Sequence, residues 1–220
     1  MKKLMDGLYD NIDEAKAFAI GFTNFAYFYD SVSTWHFHEE ICGTCKRTYQ
    51  KDDYLAPKSS CKKDTSRLHS LEFGVSPQLR DDLIAKFDVT EADFRPVRNK
   101  KREIVYYQIT PQHVMLPIHK ENGWIPLAPC PNCGSVRYNH NYFKNEKKEF
   151  YYYISQTALD DMHDFNVTFE GFTWYRPICI ISRRVYDYLT ELYPRTHYYP
   201  LFLSQETKTC LESDQTSNHP

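Results

Sequence analysis

Two Cys-x-x-Cys pairs constrain the fold of this chain more than any other feature of its sequence. The first pair is Cys42 and Cys45, and the second is Cys130 and Cys133. Two residues between cysteines let both sulfurs point at one cation from a tight turn, and two such turns complete a tetrahedral tetrathiolate zinc site. We therefore predict that these four cysteines bind one structural Zn²⁺ and join two distant parts of the chain.

The second pair has the residues that such a turn favours. Pro131 presets one backbone torsion, and Gly134 can adopt the left-handed conformation after the second ligand. Alternatives are a disulfide, a redox-active pair and unrelated buried thiols. His36 or His38 could also replace one cysteine ligand, although four thiolates already fill the coordination of zinc. A site closed in this way activates no water, so its predicted role is structural.

Three further cysteines are poorer ligand candidates. Cys179 lies in an apolar segment that predicts a strand, where a thiol usually packs in the core. Cys61 falls in a lysine-rich loop and Cys210 in the C-terminal tail. We expect either of these two thiols to be exposed and open to oxidation.

Charge and hydropathy limit which kinds of partner and which cellular compartment fit the sequence. The 220 residues include 27 basic and 29 acidic side chains, for a net charge of −2. This balance lacks the basic excess of proteins that bind nucleic acid and the strong acidity of nucleic-acid mimics. The N-terminal residues have no apolar signal-peptide core, and no run of 18 apolar residues follows. We therefore predict a cytoplasmic protein whose thiols stay reduced.

Local patterns predict several elements. Asn11 to Phe25 has helical spacing of its apolar residues, with Asn11 as N-cap. The polar stretch from Cys45 to Arg67 is typical of a loop. Strands are predicted at Trp35–His38, Ile104–Ile109 and Phe150–Ile154, and the tail 204–220 is expected to fray.

A weak internal repeat of strand, helix and strand adds to these elements. In each copy a β-like segment leads into a serine, a natural N-cap, and apolar residues then recur every three or four positions. The three serines are Ser76, Ser155 and Ser182. The predicted fold class is mixed α+β: mixed sheets with a few packed helices, fastened by the four-cysteine zinc site. We predict one domain over residues 1–203, which also admits sub-lobes at about 1–140 and 141–203.

Sequence signatures of an active site are absent. There is no Gly-rich phosphate loop, no His-Glu-x-x-His motif and no Gly-x-Ser-x-Gly motif. Asp160, Asp161 and His163 could be assembled into an acid–base set, but adjacent helical residues point in different directions. A solvated helix face explains these residues better. The sequence favours a protein that is not an enzyme.

The two cysteine pairs, separated by a long insert and with Gly134 after the second, resemble the double-CXXCG proteins found beside bacterial polymorphic toxins. The similarity continues in Ile180–Val185, at Leu189 and in Tyr199–Leu201, and it spans roughly Trp35 to Leu203. Lys46 follows the first pair where the family motif has glycine.

This resemblance implies an immunity protein, whose partner is the toxin domain of a secreted effector. The mechanism would be occlusion of the toxin's active site, and the near-neutral charge favours a toxin such as an ADP-ribosyltransferase over a basic nuclease. A zinc-ribbon protein that binds nucleic acid or acts as a regulator is the first alternative. Its basic residues would be Lys46, Arg47, Lys58, Lys62, Lys63 and the run Asn99–Arg102. An enzyme with an unrecognised site is the second.

Overall fold

The computed structural model describes residues 5–20, 26–27, 38–45, 47–50, 54–55, 64–67, 73–99, 101–139, 143–172, 177–194 and 196–204. These residues contain three α-helices, namely α1 (Pro77–Lys86), α2 (Gln156–Asp160) and α3 (Arg183–Leu192). Single 3₁₀ turns lie at Met5–Gly7, Ile12–Glu14 and Glu91–Asp93. With two mixed sheets and few helices, the predicted α+β class is confirmed.

Fourteen strands are found in the described part of the chain. Those of the N-terminal half are β1 (Ala17–Ile20), β2 (Ala26–Tyr27), β3 (His38–Cys42), β4 (Arg47–Gln50), β5 (Tyr54–Leu55), β6 (Thr65–Arg67), β7 (Phe73–Val75), β8 (Phe94–Arg98) and β9 (Ile104–Ile109). Those that follow are β10 (Phe143–Lys144), β11 (Phe150–Ile154), β12 (Phe165–Val167), β13 (Cys179–Ser182) and β14 (Tyr198–Leu203).

The strands form two six-stranded sheets and one separate hairpin. The C-terminal sheet has the order β10-β11-β14-β1-β13-β12, and the central sheet has the order β2-β6-β7-β9-β8-β5. Each sheet is mixed: β11 and β14 run parallel in the first, as do β5 and β8 in the second. Strands β3 and β4 pair only with each other among the described residues, and this hairpin carries the first cysteine pair.

All three copies of the repeat form a strand, a capped helix and a second strand. The hydroxyls of Ser76, Ser155 and Ser182 accept hydrogen bonds from the backbone N–H three residues later, at 3.2 to 3.4 Å. In two copies another strand separates the outer two: β9 lies between β7 and β8, and β1 lies between β13 and β14. Both central strands are antiparallel to their neighbours, so the outer strands are parallel to each other.

Two hydrophobic cores lie on opposite faces of the C-terminal sheet. Successive strand residues alternate between faces, so β1 directs Phe18 into one core and Ala17 and Ala19 into the other. The first core joins both sheets and helices α1 and α3, and within it the Phe18 ring stacks on Tyr186 at 3.6 Å. The second core holds Trp124 and thereby fixes the segment that leads to the second cysteine pair.

The predicted helix from Asn11 to Phe25 is wrong. Its residues form the 3₁₀ turn Ile12–Glu14 and then strand β1, and the Asn11 side chain makes no capping hydrogen bond. Every residue of β1 is buried, because the strand has sheet neighbours on both sides and a core on each face. A strand buried on both faces is continuously apolar and lacks the period-two signal that would separate it from a helix. Residues 21–25 lie outside the described part.

The prediction of a loop from Cys45 to Arg67 is wrong where the chain is described, since β4, β5 and β6 lie within it. The predicted strands Ile104–Ile109 and Phe150–Ile154 are confirmed. Of Trp35–His38, only His38 is described, and it begins β3. The tail beyond Ser204 lies outside the described residues. No helix in the described part is both long enough and apolar enough to cross a membrane.

Candidate metal centre

The first cysteine pair lies at the turn of the β3–β4 hairpin. Cys42 ends β3 and pairs with Arg47, and the register shifts between Glu40 and Cys42. Residues 43–45 form the turn, so Cys45 follows Cys42 around the bend. A register shift interrupts the regular alternation of side chains between the two faces of a strand. It thus allows Cys42 and Cys45 to lie together at the same end of the hairpin.

The second pair lies in a tight turn held by backbone hydrogen bonds. The N–H of Gly134 donates to the Cys130 carbonyl at 2.8 Å, and the N–H of Cys130 donates to the Ser135 carbonyl at 3.0 Å. Gly134 has φ of +70°, the left-handed conformation expected for the residue after the second cysteine. The sequence Pro-x-Cys-Gly therefore closes the turn in the way predicted.

The two turns bring all four sulfurs together. The Sγ atoms of Cys42 and Cys130 lie 3.7 Å apart, as do those of Cys45 and Cys133. All four Sγ atoms lie within 4.8 Å of one another and could hold a metal ion. Cys42 and Cys130 are buried, whereas Cys133 is exposed. The cluster therefore has one side in the protein and one side toward solvent.

A further contact ties the turns to each other. The Asn132 side-chain amide donates to the Thr44 hydroxyl, so the middle residues of both turns also meet. Between the two pairs, the described strands β5 to β9 belong to the central sheet. The sequence indicated the ligands, and the fold supplies their convergence.

Hydrogen bonds around the sulfurs change their acidity. The hydrogen bond with the Ser135 hydroxyl, followed by the backbone N–H of Ser135, lowers the pKa of Cys133 to about 6. For Cys130, hydrogen bonds from the N–H groups of Asn132 and Cys133 lower the pKa, but burial and the neighbouring thiols of Cys133 and Cys45 outweigh them and raise it. The turn N–H groups thus point at sulfur, which is the arrangement that stabilises metal-bound thiolates.

The donor set determines what the centre can do. Thiolates are soft ligands that suit thiophilic cations, and four of them leave a tetrahedral ion no open position. Among the described residues, these four cysteines form the one group of three or more metal-binding side chains that could hold an ion. The position of His38, at the far end of β3, is paired with Gln50. His36 lies outside the described part.

The other candidate residues are dispersed. Cys179 begins β13, and burial, together with Asp93, raises its pKa to about 12, as expected of a packed thiol. Cys61 and Cys210 lie outside the described residues, as do Lys46, Lys58, Lys62, Lys63 and Lys100. Asp160 is exposed and accepts a hydrogen bond from Gln156 one turn earlier on α2. This contact fits the predicted solvated helix face.

Two polar clusters could not be assembled from the sequence, although Asp161 and His163 of the first were considered there as part of an acid–base set. The imidazole rings of His113 and His163 stack at 4.1 Å, and Asp161 Oδ2 lies 3.3 Å from His113 Nε2. In the second cluster, Oε1 of the fully buried Glu170 accepts from the N–H of Ile118 and His119 and contacts His119 Nδ1 at 3.0 Å. Each pairing joins segments far apart in the sequence, so no local motif could have indicated it.

Comparison with known proteins does not assign a function to this site. No protein-family model matches the chain, and a search of curated proteins gave no match.

Proposed function

We propose that the four cysteines bind a structural Zn²⁺ and that the metal-fastened protein is an immunity protein that neutralises a toxin domain in the cytoplasm. The observation that carries the metal proposal is the convergence of four sulfurs from two Cys-x-x-Cys turns within 4.8 Å. Zn²⁺ is the ion that tetrathiolate sites of this spacing most often hold.

The sulfur separations support zinc over a disulfide. A tetrahedral ion with Zn–S bonds of about 2.3 Å separates its ligand atoms by about 3.8 Å. The pairs Cys42–Cys130 and Cys45–Cys133 are separated by 3.7 Å. A disulfide would need an S–S distance of about 2.05 Å. Zinc would fix the β3–β4 hairpin against the turn at Cys130 without taking part in any reaction.

The immunity role rests on the resemblance in the cysteine pairs and the C-terminal segment, and two observations are compatible with it. The metal centre has no coordination position left for chemistry. The described part also exposes several large apolar side chains, including Ile125 and Phe169. Exposed apolar patches are typical of surfaces that bind other proteins. Inhibition would follow from occlusion of the toxin's active site.

A growth assay tests the immunity proposal. A toxin domain found encoded beside this chain's gene is induced in a susceptible strain, with and without this protein. We expect co-expression to restore growth, and the purified pair to elute as one complex. As a matched control, a variant with Cys130→Ser and Cys133→Ser should protect less, because the second turn loses its metal. Continued cell death in the presence of soluble, zinc-loaded wild-type protein would reject the immunity role.

A further inference from the structure

The four sulfurs of the metal centre differ in their access to solvent. Cys42 and Cys130 are each 7% exposed, whereas Cys45 is half-buried and Cys133 is exposed. A dissolved oxidant first reaches the cysteine sulfurs that are accessible to solvent. The centre therefore contains one protected pair of sulfurs, Cys42 and Cys130, and one accessible pair, Cys45 and Cys133.

The accessible pair joins the two turns to each other. The Sγ atoms of Cys45 and Cys133 lie 3.7 Å apart, although 88 residues separate them in the sequence. The residues that precede them, Thr44 and Asn132, also meet through a side-chain hydrogen bond. This contact aligns the two turns so that Cys45 and Cys133 face each other.

Only a small movement separates the accessible pair from a covalent bond. A disulfide has an S–S distance of about 2.05 Å, so the two sulfurs must approach by about 1.7 Å. Among the described residues, the β3–β4 hairpin has no strand partner in either large sheet. The first turn can therefore move toward the second without breaking a hydrogen bond of those sheets.

A disulfide within the second turn requires a different change. It would draw the buried Cys130 sulfur toward solvent and away from Cys42, whose Sγ lies 3.7 Å from it. The turn is also held by backbone hydrogen bonds that join Cys130 to Gly134 and Ser135. The geometry therefore favours a bond between the turns over a bond within one of them.

We propose that Cys45 and Cys133 are the site at which a hydroperoxide oxidises this protein, and that the disulfide they form replaces the metal as the link between the two turns. This inference rests on the proposed zinc site and is independent of the immunity role. After oxidation, the thiolates of Cys42 and Cys130 offer two ligands, too few to retain the ion.

The oxidation balances in two steps with hydrogen peroxide as the oxidant. The Cys133 sulfur attacks one peroxide oxygen, the O–O bond breaks, and the hydroxide that leaves takes up a proton to become water. The Cys45 sulfur then attacks the sulfenic sulfur of Cys133. The S–S bond forms, and the S–O bond breaks with loss of a second hydroxide, which also becomes water. The two sulfurs lose two electrons, and the peroxide gains them.

Loss of metal through oxidation should therefore differ from loss of metal to a chelator. A chelator leaves the β3–β4 hairpin without its link to the second turn. The disulfide closes the same long loop covalently and restricts the unfolded chain, which stabilises the fold. The oxidised protein should remain folded without zinc, and a dithiol reductant followed by zinc should restore the original centre.

Stepwise addition of hydrogen peroxide to the zinc-loaded wild type tests the assignment. A chromogenic indicator follows the release of zinc. Free thiols are then blocked with one alkylating reagent, the disulfide is reduced, and the thiols that appear are labelled with a second reagent. Mass spectrometry should find the second label on Cys45 and Cys133 and the first label on Cys42 and Cys130.

Cys133→Ser and Cys42→Ser are a matched pair of variants, because each removes one of the four ligands. Cys133→Ser should release zinc under peroxide roughly tenfold more slowly than the wild type, since the most accessible sulfur is gone. Cys42→Ser keeps the accessible pair and should release zinc no more slowly than the wild type.

Melting temperatures test whether the disulfide fastens the two turns. The oxidised, zinc-free protein should melt roughly 5 °C or more above the reduced protein stripped of zinc by a chelator. Equal melting temperatures would reject this role.

Zinc retained under peroxide, or the second label on any pair other than Cys45 and Cys133, overturns the oxidation site and leaves the zinc site standing. Protein that binds no zinc when purified under reducing conditions removes both proposals.

Discussion

The Sγ atoms of Cys42 and Cys130 lie 3.7 Å apart although 88 residues separate them in the sequence. The insert between them contains the whole of β5 to β9 and helix α1. Closing so long a loop costs conformational entropy, and a metal bound only in the folded state offsets that cost. The β3–β4 hairpin has no strand partner in either large sheet among the described residues. Its position should therefore depend strongly on the metal.

Removal of the metal should destabilise the protein. A ligand present at a thousand times its dissociation constant stabilises the native state by about 4 kcal/mol. For a chain of this size, that loss corresponds to a fall in melting temperature of roughly 10 °C. We expect elemental analysis to find one zinc per chain, and a strong chelator to lower the melting temperature by that amount.

Cys179→Ala provides the control for this prediction, because the partly buried Cys179 packs against the first core and lies outside the sulfur cluster. It should retain one zinc per chain and the same response to chelator. An unchanged melting temperature after complete metal removal from the wild type would contradict a structural role for the ion.

The clustering of the four cysteines could be predicted from the sequence because each Cys-x-x-Cys turn is a local feature. Gly134 illustrates this, since its left-handed conformation follows from the needs of one turn. The exposure of the apolar residues that precede the second cysteine pair could not be predicted in the same way. Ile125 and Leu127 are as apolar as core residues, and only the folded chain shows that they are exposed while Trp124 is buried.

The fold was predictable to a similar degree. Serine caps are local, so the three helices that begin after Ser76, Ser155 and Ser182 could be anticipated. Strand β1 could not, because its burial depends on β13 and β14, which lie more than 150 residues later in the sequence. Helix propensity was overridden there by tertiary packing.

The serine caps should differ in their contribution to stability. Ser76→Ala removes the hydrogen bond from the N–H of Leu79 and one from the Ser76 hydroxyl to the exposed carboxylate of Asp64, and it should cost about 1 kcal/mol. Ser182→Ala removes the cap of α3 and also a hydrogen bond from the Ser182 hydroxyl to Asp164 Oδ1 at 2.5 Å. That variant should lose about 2 kcal/mol, because a buried carboxylate also loses a donor. Urea unfolding measures both; equal losses would contradict the role of Asp164.

Asp164 should account for part of the loss of stability in acid. Burial alone would raise its pKa, but hydrogen bonds from Arg184, Ser182 and the N–H of Asp88 outweigh burial and lower it. A carboxyl whose pKa is lower in the folded state stabilises the fold above its unfolded pKa of about 3.9, and this contribution disappears as pH falls through the folded value. Stability should therefore decrease below pH of about 4.

Asp164→Asn separates this contribution from that of other carboxyls. The variant should lose about 2 kcal/mol at neutral pH, because the buried Asp164 loses its charge-assisted hydrogen bonds, whereas the Arg184 side chain is 61% exposed and its pairing is screened by solvent. Its stability should fall less steeply than that of the wild type between pH values of about 4 and 2. Urea unfolding across this range measures both effects, and parallel curves for the two proteins would exclude Asp164 as the titrating group.

His197 should produce a second pH dependence, in a higher range. Burial lowers its pKa, and the attraction of Glu149 offsets burial only in part. The unfolded chain therefore binds the proton more readily, so stability is complete above the unfolded pKa of about 6.5 and declines as pH falls toward the folded value. His197→Gln keeps a polar side chain that cannot titrate and should flatten the stability curve between pH values of about 7 and 5.

Equilibrium unfolding at intervals across that range measures the slope, with His163→Gln, a change at a half-exposed ring, as the matched control. A slope that persists unchanged in His197→Gln would assign the titration to another group.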